Sequence, residues 1–179
     1  MAARILPTPE QLRELLRYEP DTGKLFWLPR PRELFATKRS FSLWNTRFSG
    51  KEAFITVGPV GYRYGAVFGH KMYAHRVIWA MQSGSWPRAD IDHINGCRTD
   101  NRFCNLRAAT RAENLMNMSG SRGASGVKGV SLLANGIFRA EIRAYGKRFN
   151  LGRFKTLGEA AKAYAEAAHR LHGEFARTE

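Results

Sequence analysis

The chain predicts an α+β fold built as two small domains, and three observations lead there. Helix starts are marked by capping boxes, at Thr8-Pro9-Glu10-Gln11 and again at Thr110-Arg111-Ala112-Glu113. Short β-type runs alternate with turns built on Gly and Asn. A Gly/Ser-rich stretch, Ser119 to Gly126, then separates two regions of different character.

After Thr8, the residues Leu12, Leu15 and Leu16 form an apolar stripe at helical spacing. Asp21-Thr22-Gly23 reads as a turn and Lys24 to Leu28 as a strand. Residues 29–50 mix Pro, Arg, Ser and aromatics without a clear period and are expected to be irregular. Between Phe54 and Met72, Tyr62, Tyr64, Ala66 and Phe68 alternate with other residues, which predicts a hairpin. Ala74 to Met81 reads as a helix ending near Gly84. Ile91 to Ile94 is a short strand that runs into a loop at Asn95-Gly96, with Leu106 to Ala109 as its partner. The helix opened by Thr110 sets Asn114 and Asn117 three residues apart on one face.

Beyond the break, Gly126 to Ser131, Gly136 to Arg143 and Lys147 to Leu151 read as three strands. Phe138, Ala140 and Ile142 face one way, and Arg139, Glu141 and Arg143 the other. Thr156 caps an Ala-rich helix running to His172 and closed by Gly173. Phe138, Ile142, Phe149, Leu151 and Phe154 are expected in its core.

Composition narrows the function. No apolar run is long enough to span a membrane, and the N-terminus lacks a secretory pattern, so a cytoplasmic protein is expected. Cys97 and Cys104 have no second Cys or His pair nearby, so they read as two reduced thiols. The formal charge is +14 and is not confined to a tail. Up to residue 119 there are 18 Lys/Arg against 10 Asp/Glu, and beyond it 11 against 5. An excess spread over both regions points to a polyanion.

Between positions 92 and 117 the chain reads Asp92-His93-Ile94-Asn95-Gly96, Asp100-Asn101-Arg102, Asn105-Leu106-Arg107 and then Asn114 and Asn117. An Asp and an Asn offer hard oxygen ligands to a cation such as Mg²⁺. A His titrating near neutrality can take a proton from water. With His75-Arg76-Val77-Ile78-Trp79 ahead of it, this region resembles the HNH (ββα-metal) endonucleases of the phage and intron-encoded homing type. The resemblance implies that Asp92 and Asn114 hold Mg²⁺ or another divalent cation such as Mn²⁺. It implies that His93 is the general base, that Asn105 orients His93, and that the products are a 3′-hydroxyl and a 5′-phosphate. Asn117 reads either as a helix-face polar residue or as a neighbour of the ligands. His75 is assigned to packing or a structural hydrogen bond, and Asp100 and Arg102 to tying down the loop that presents Asn105.

Residues 126–173 resemble the AP2/ERF DNA-binding domain, through Gly126-Val127-Lys128-Gly129-Val130, Phe138-Arg139-Ala140-Glu141-Ile142, Leu151-Gly152-Arg153-Phe154 and Glu159 to Tyr164. By position, Lys128, Arg143, Arg148 and Asn150 fall where that family contacts DNA. Arg139 and Lys147 join them on charge and strand parity. The plant members have Trp where this chain has Asn135 and Asn150, and Arg where it has Ser131 and Leu133, so the bases read must differ.

The expected organisation is a nuclease domain over 1–118, with a basic extension over 1–53 and a core over about 54–118. A linker at 119–125 and an AP2-like domain over 126–179 follow. The expected function is a metal-dependent endonuclease on double-stranded DNA, a monomer that nicks one strand, with Arg76, Arg88, Arg98 and Arg107 read either as further phosphate contacts or as solvent-exposed charges. The alternative is a non-catalytic DNA-binding regulator, against which the intact Asp92, His93, Asn105 and Asn114 weigh. A nuclease acting on RNA is disfavoured by the resemblance to a duplex-DNA reader.

Overall fold

The first helix starts where its cap is written. In the computed structural model, which describes residues 6–117, 124–176 and 178, Thr8 accepts from the Gln11 backbone while the Gln11 side chain returns to Thr8. Helix α1 (Pro9–Leu15) buries Leu12 and Leu15 completely or nearly so. It stops one residue before the apolar stripe does, because Leu16 opens strand β1 (Leu16–Glu19), which pairs with β2 (Lys24–Trp27) around the Asp21-Thr22-Gly23 turn. Strand β3 (Glu52–Ala53) completes an antiparallel sheet in the order β1-β2-β3.

Residues 29–50 correct the sequence expectation. Instead of being irregular, they contain helix α2 (Lys38–Phe48), opened by a Thr37/Ser40 capping box. Ser in place of Glu or Gln hides the box, and Phe41, Trp44 and Phe48 carry a helical period that is easily missed between basic residues. No residue of α2 is buried. The helix is tied on by Asn45, which bonds both backbone groups of Arg30 (2.9 and 3.1 Å), and by the Arg30 guanidinium 3.9 Å over the Trp44 ring.

The expected hairpin is β5 (Arg63–Val67) and β6 (His70–Tyr73), with β4 (Thr56–Val57) on the outer edge of β5. Helix α3 (Ala74–Ser83) follows and ends at Gly84, whose φ of 77° closes the helix in the left-handed region. Val77, Ile78 and Ala80 are fully buried against Leu12, Leu15, Leu16, Leu25 and Val67. Each such aliphatic side chain stabilises the fold by roughly 1.5–3 kcal/mol relative to exposure. Arg13 of α1 donates to the Met81 carbonyl near the C-terminal end of α3, a favourable place for a cation. Strands β7 (Asp90–His93) and β8 (Leu106–Ala109) then form the expected two-stranded ribbon, and helix α4 (Arg111–Asn117) starts at the predicted Thr110/Glu113 box.

The chain divides into two compact units, Met1–Ala108 and Ala109–Glu179. The division therefore comes before the expected 119–125 linker, most of which lies outside the described residues, and α4 groups with the C-terminal unit. That unit holds β9 (Val130–Leu132), β10 (Phe138–Ala144) and β11 (Lys147–Phe154), ordered β11-β10-β9 and antiparallel. Helix α5 (Leu157–His172), capped by Thr156, lays Ala160, Tyr164, Ala167 and Ala168 on Val130, Ala140 and Ile142. Gly129, at φ 70°, lies where any side chain would overlap the Tyr164 ring. A bulge at Leu151 shifts the β10–β11 register between Ala140 and Glu141. Phe149 departs from the core expectation: on the edge strand β11 it is 37% exposed, although Ile142 opposite it is buried.

Candidate functional site

Strand β7 ends in Asp92 and His93, both buried, at 6% and 3% exposure. Alternation along the strand sends their side chains to opposite faces. Across the ribbon, Arg107 of β8 places Nε and Nη2 at 3.0 and 2.9 Å from Asp92 Oδ2. The pair is desolvated on both sides, with 12% and 7% of the side chains exposed, and each donor makes a charge-assisted bond. Arg107, expected to grip phosphate, instead neutralises Asp92.

His93 directs Nε2 to Asn101 Oδ1 at 3.0 Å. Its ring packs in an aromatic group, 5.2 Å from His75 and 5.7 Å from Tyr62 between centroids. Burial pushes its imidazole below the ordinary histidine value, while the Asn101 bond and the Asp92 charge push it back up. His75 stacks on Tyr73 at 5.5 Å and lies 4.9 Å from Tyr62. Burial, reinforced by His93 and Arg76, lowers it to about 3, so it is neutral at physiological pH. Its Nδ1 has no hydrogen-bond partner among the described residues. His75 is a packed ring, as its helical and aromatic neighbourhood suggested.

The loop between the strands is closed by Asn105. Its Oδ1 accepts from the Asn95 backbone at 3.0 Å, and its Nδ2 donates to Asn95 Oδ1 at 3.0 Å and to the Asp100 carbonyl at 2.8 Å. This differs from the expectation that Asn105 orients His93. The Asn105 amide points into the loop, and it is Asn101 Oδ1 that lies 3.0 Å from the imidazole Nε2. Asp100 and Arg102 act as foreseen: Arg102 donates to both carboxylate oxygens (2.8 and 2.6 Å), and Asn95 adds a bond of 2.7 Å. These donors hold the Asp100 carboxyl down at about 2. Cys97 and Cys104 are both free and exposed.

Asn114 lies half-buried on α4, and Asn117 at its end is 4% exposed. Both belong to the C-terminal unit, whereas Asp92, His93 and Asn105 belong to the other. Among the described residues, no group of three or more His, Cys, Asp or Glu gathers as a cation cage. The donors in question are carboxylate and amide oxygens, which suit a hard divalent ion.

Other predicted contacts divide. Arg76 donates to the carbonyls of Ala89 and Pro87, and Arg98 to that of Val60, so both brace the fold. In the C-terminal unit, Lys128 donates to the Met116 carbonyl at 2.9 Å. Arg139 and Arg148 flank Glu141, at 3.3 and 3.9 Å. Arg143, Lys147, Arg148 and Asn150 are exposed, and Asn150 Oδ1 accepts from Gly152 N beside the bulge. Arg143 and Arg148 are directly paired across β10 and β11, giving the sheet a cationic stripe.

The HNH endonuclease profile matches residues 72–116, the segment from the end of β6 through α3, the β7–β8 ribbon and nearly all of α4. Protein 3.8 of Escherichia phage T7 is 34% identical over 106 residues, which cover 58% of this chain and 87% of that protein. The chain carries an HNH endonuclease domain. A protein of Acanthamoeba polyphaga mimivirus named as an uncharacterised HNH endonuclease is 33% identical over 120 residues, 66% of this chain. The match spans 60% of the mimivirus protein. No solved structure matches the chain. Within the HNH segment, Asn101 is the residue that sequence reasoning passed over. It stood between the oppositely charged Asp100 and Arg102, and only its burial, at 1% exposure, marks it out.

Proposed function

We propose that the chain is a metal-dependent DNA endonuclease of the HNH homing type, which hydrolyses phosphodiester bonds and nicks one strand per monomer. The observation that carries this reading is the end of β7, where a buried, arginine-paired carboxylate and a buried, oriented imidazole occupy successive positions of the strand. His93 takes the proton of the attacking water, a role suited to a ring that burial keeps neutral near physiological pH. By the motif spacing, Asp92 and Asn114 are the residues that would hold Mg²⁺ or Mn²⁺. When bound, the ion supplies charge stabilisation at the phosphate and the leaving oxygen. Arg107 pairs with the Asp92 carboxylate through two hydrogen bonds to one oxygen and fixes its rotamer. Asn105 braces the loop that carries Asn101.

The C-terminal unit is read as an AP2/ERF-like grip on the duplex. Its three-stranded sheet backed by one helix, with Arg143, Lys147, Arg148 and Asn150 exposed along the strands and Arg139 half-buried beside Glu141, supports that reading. Arg reads guanine and Asn adenine, while Lys anchors phosphate. Lys128 holds Met116 in the free protein and would have to release it to reach DNA. The test is incubation of supercoiled plasmid with Mg²⁺ and with EDTA. Open-circular product in Mg²⁺ alone is expected. Mobility shift without cleavage in Mg²⁺ or Mn²⁺, on a plasmid library covering random targets, would overturn the reading in favour of a DNA-binding regulator.

A further inference from the structure

Residues 1–53 carry no motif, yet their first hairpin grips the backbone on both sides of Asn101. Tyr18 of β1 places its hydroxyl 2.8 Å from the Phe103 amide, which donates to it, and 3.4 Å from the Asn101 carbonyl, to which it donates. The next turn comes equally close. A Cβ on Gly23 would lie 2.5 Å from Arg102 N and 2.6 Å from Asn101 C, and Gly23 has a φ of 70°. Only glycine lets the turn lie flat on that peptide. Asn101 is thereby fixed by backbone contacts more than 75 residues away in sequence. Its side chain is 1% exposed, with Oδ1 on His93 Nε2 and Nδ2 without a partner among the described residues. A buried amide that leaves a donor unmatched is unfavourable for stability. That placement makes sense when the other end of the amide has a task.

We propose that the β1–β2 hairpin is a positioning clamp: Tyr18 and Gly23 hold the Asn101 backbone so that Oδ1 accepts from His93 Nε2–H. This selects the tautomer that carries its lone pair on Nδ1. The inference rests on the assignment of His93 as general base for its catalytic consequence, but not for its structural content. Asn101 and Tyr18 are positioning residues. A neutral imidazole has one donor and one acceptor nitrogen, and a fixed acceptor at Nε2 settles which is which.

The experiment is two-dimensional ¹H–¹⁵N NMR of the full-length protein with ¹⁵N-labelled histidine rings, at a pH where His93 is neutral, on wild type, Asn101→Leu and Tyr18→Phe. Nicking rate and duplex affinity are measured on the same samples. Wild-type His93 is expected as the Nε2–H tautomer, with a mixed or reversed population in Asn101→Leu and a partial shift in Tyr18→Phe. The nicking rate should fall by about 10²-fold or more in Asn101→Leu, as for loss of a properly disposed base, with duplex affinity unchanged. Tyr18→Phe should lose roughly tenfold, a misplacement effect. An Nδ1–H tautomer in wild type, or a His93 spectrum unaltered by Tyr18→Phe, overturns the proposal. If Asn101→Leu does not fold, Tyr18→Phe and the wild-type spectrum still decide it. If the protein cleaves nothing, the spectra still test the clamp, so the two readings fail separately.

Discussion

Replacing Arg107 with Met should expose how the Asp92 carboxylate is held. Arg107 and Asp92 are 12% and 7% exposed, so the pair is effectively removed from water, and the Nε and Nη2 bonds converge on one oxygen. Breaking a buried pair from one side leaves the partner's charge in a poorly solvated place, at a cost of about 3–5 kcal/mol. Met keeps the aliphatic bulk, so the lower end, about 3 kcal/mol, is expected. With an m-value of about 1.5 kcal/mol/M in urea, the midpoint should fall by roughly 2 M. Tryptophan fluorescence isolates the event, because Trp27, Trp44, Trp79 and Trp86 all lie in the N-terminal unit. Asp92→Asn should be milder, and the double variant should be far less destabilised than the sum of the singles, since both remove one interaction. If Asp92 also binds a cation, Mg²⁺ at ten times its Kd should return about 1.4 kcal/mol to Arg107→Met. A loss below 1 kcal/mol, or strict additivity in the cycle, would refute the buried-pair argument.

Three further outcomes follow from the same geometry. His75 is lowered to about 3 against an unfolded value near 6.5, so its contribution is complete above pH 6.5 and is lost as pH falls towards 3. His75→Phe, which keeps the ring between Tyr62 and Tyr73, should flatten the acid limb of the urea midpoint by close to one proton, about 1.4 kcal/mol per pH unit. Gly129→Ala should unfold the C-terminal unit, because the added methyl would overlap Tyr164 and stand 2.6 Å from the Glu141 carbonyl. Amide spectra should lose the β9–β11 resonances while tryptophan fluorescence is unchanged. Arg143→Ala with Arg148→Ala should weaken duplex binding and reduce the slope of log K against log salt by about 1.8 if both meet phosphate. An unchanged slope, read by fluorescence anisotropy in EDTA, would remove the β10–β11 stripe from the interface.

Legibility followed the strength of the local signals. The capping boxes at Thr8 and Thr110 and the cap at Thr156 set helix starts because each signal lies within four residues. The structure keeps all three and completes the Thr156 cap as a box with Glu159. The β10 alternation and the Gly84 stop were equally local. Helix α2 was missed because its box uses Ser40 and its apolar face is shallow, resting on Arg30 and Trp27 instead of a core. In the site, Asp92, His93 and Asn105 were legible as residue types at a spacing. Their partners were not: whether Asn101 or Asn105 meets His93 depends on how the 95–105 loop closes, and Arg107 looks like any exposed basic residue until β8 pairs with β7. The clamp of Tyr18 and Gly23 on Asn101 is invisible in sequence because it joins elements far apart in the chain.

The most direct test of the nuclease assignment compares wild type with His93→Ala on one supercoiled plasmid in Mg²⁺, with duplex affinity and folding measured in parallel. The account predicts open-circular product from wild type and a rate at least 10²-fold lower from His93→Ala, at equal affinity and an unaltered fold. Equal nicking by the two proteins would contradict it.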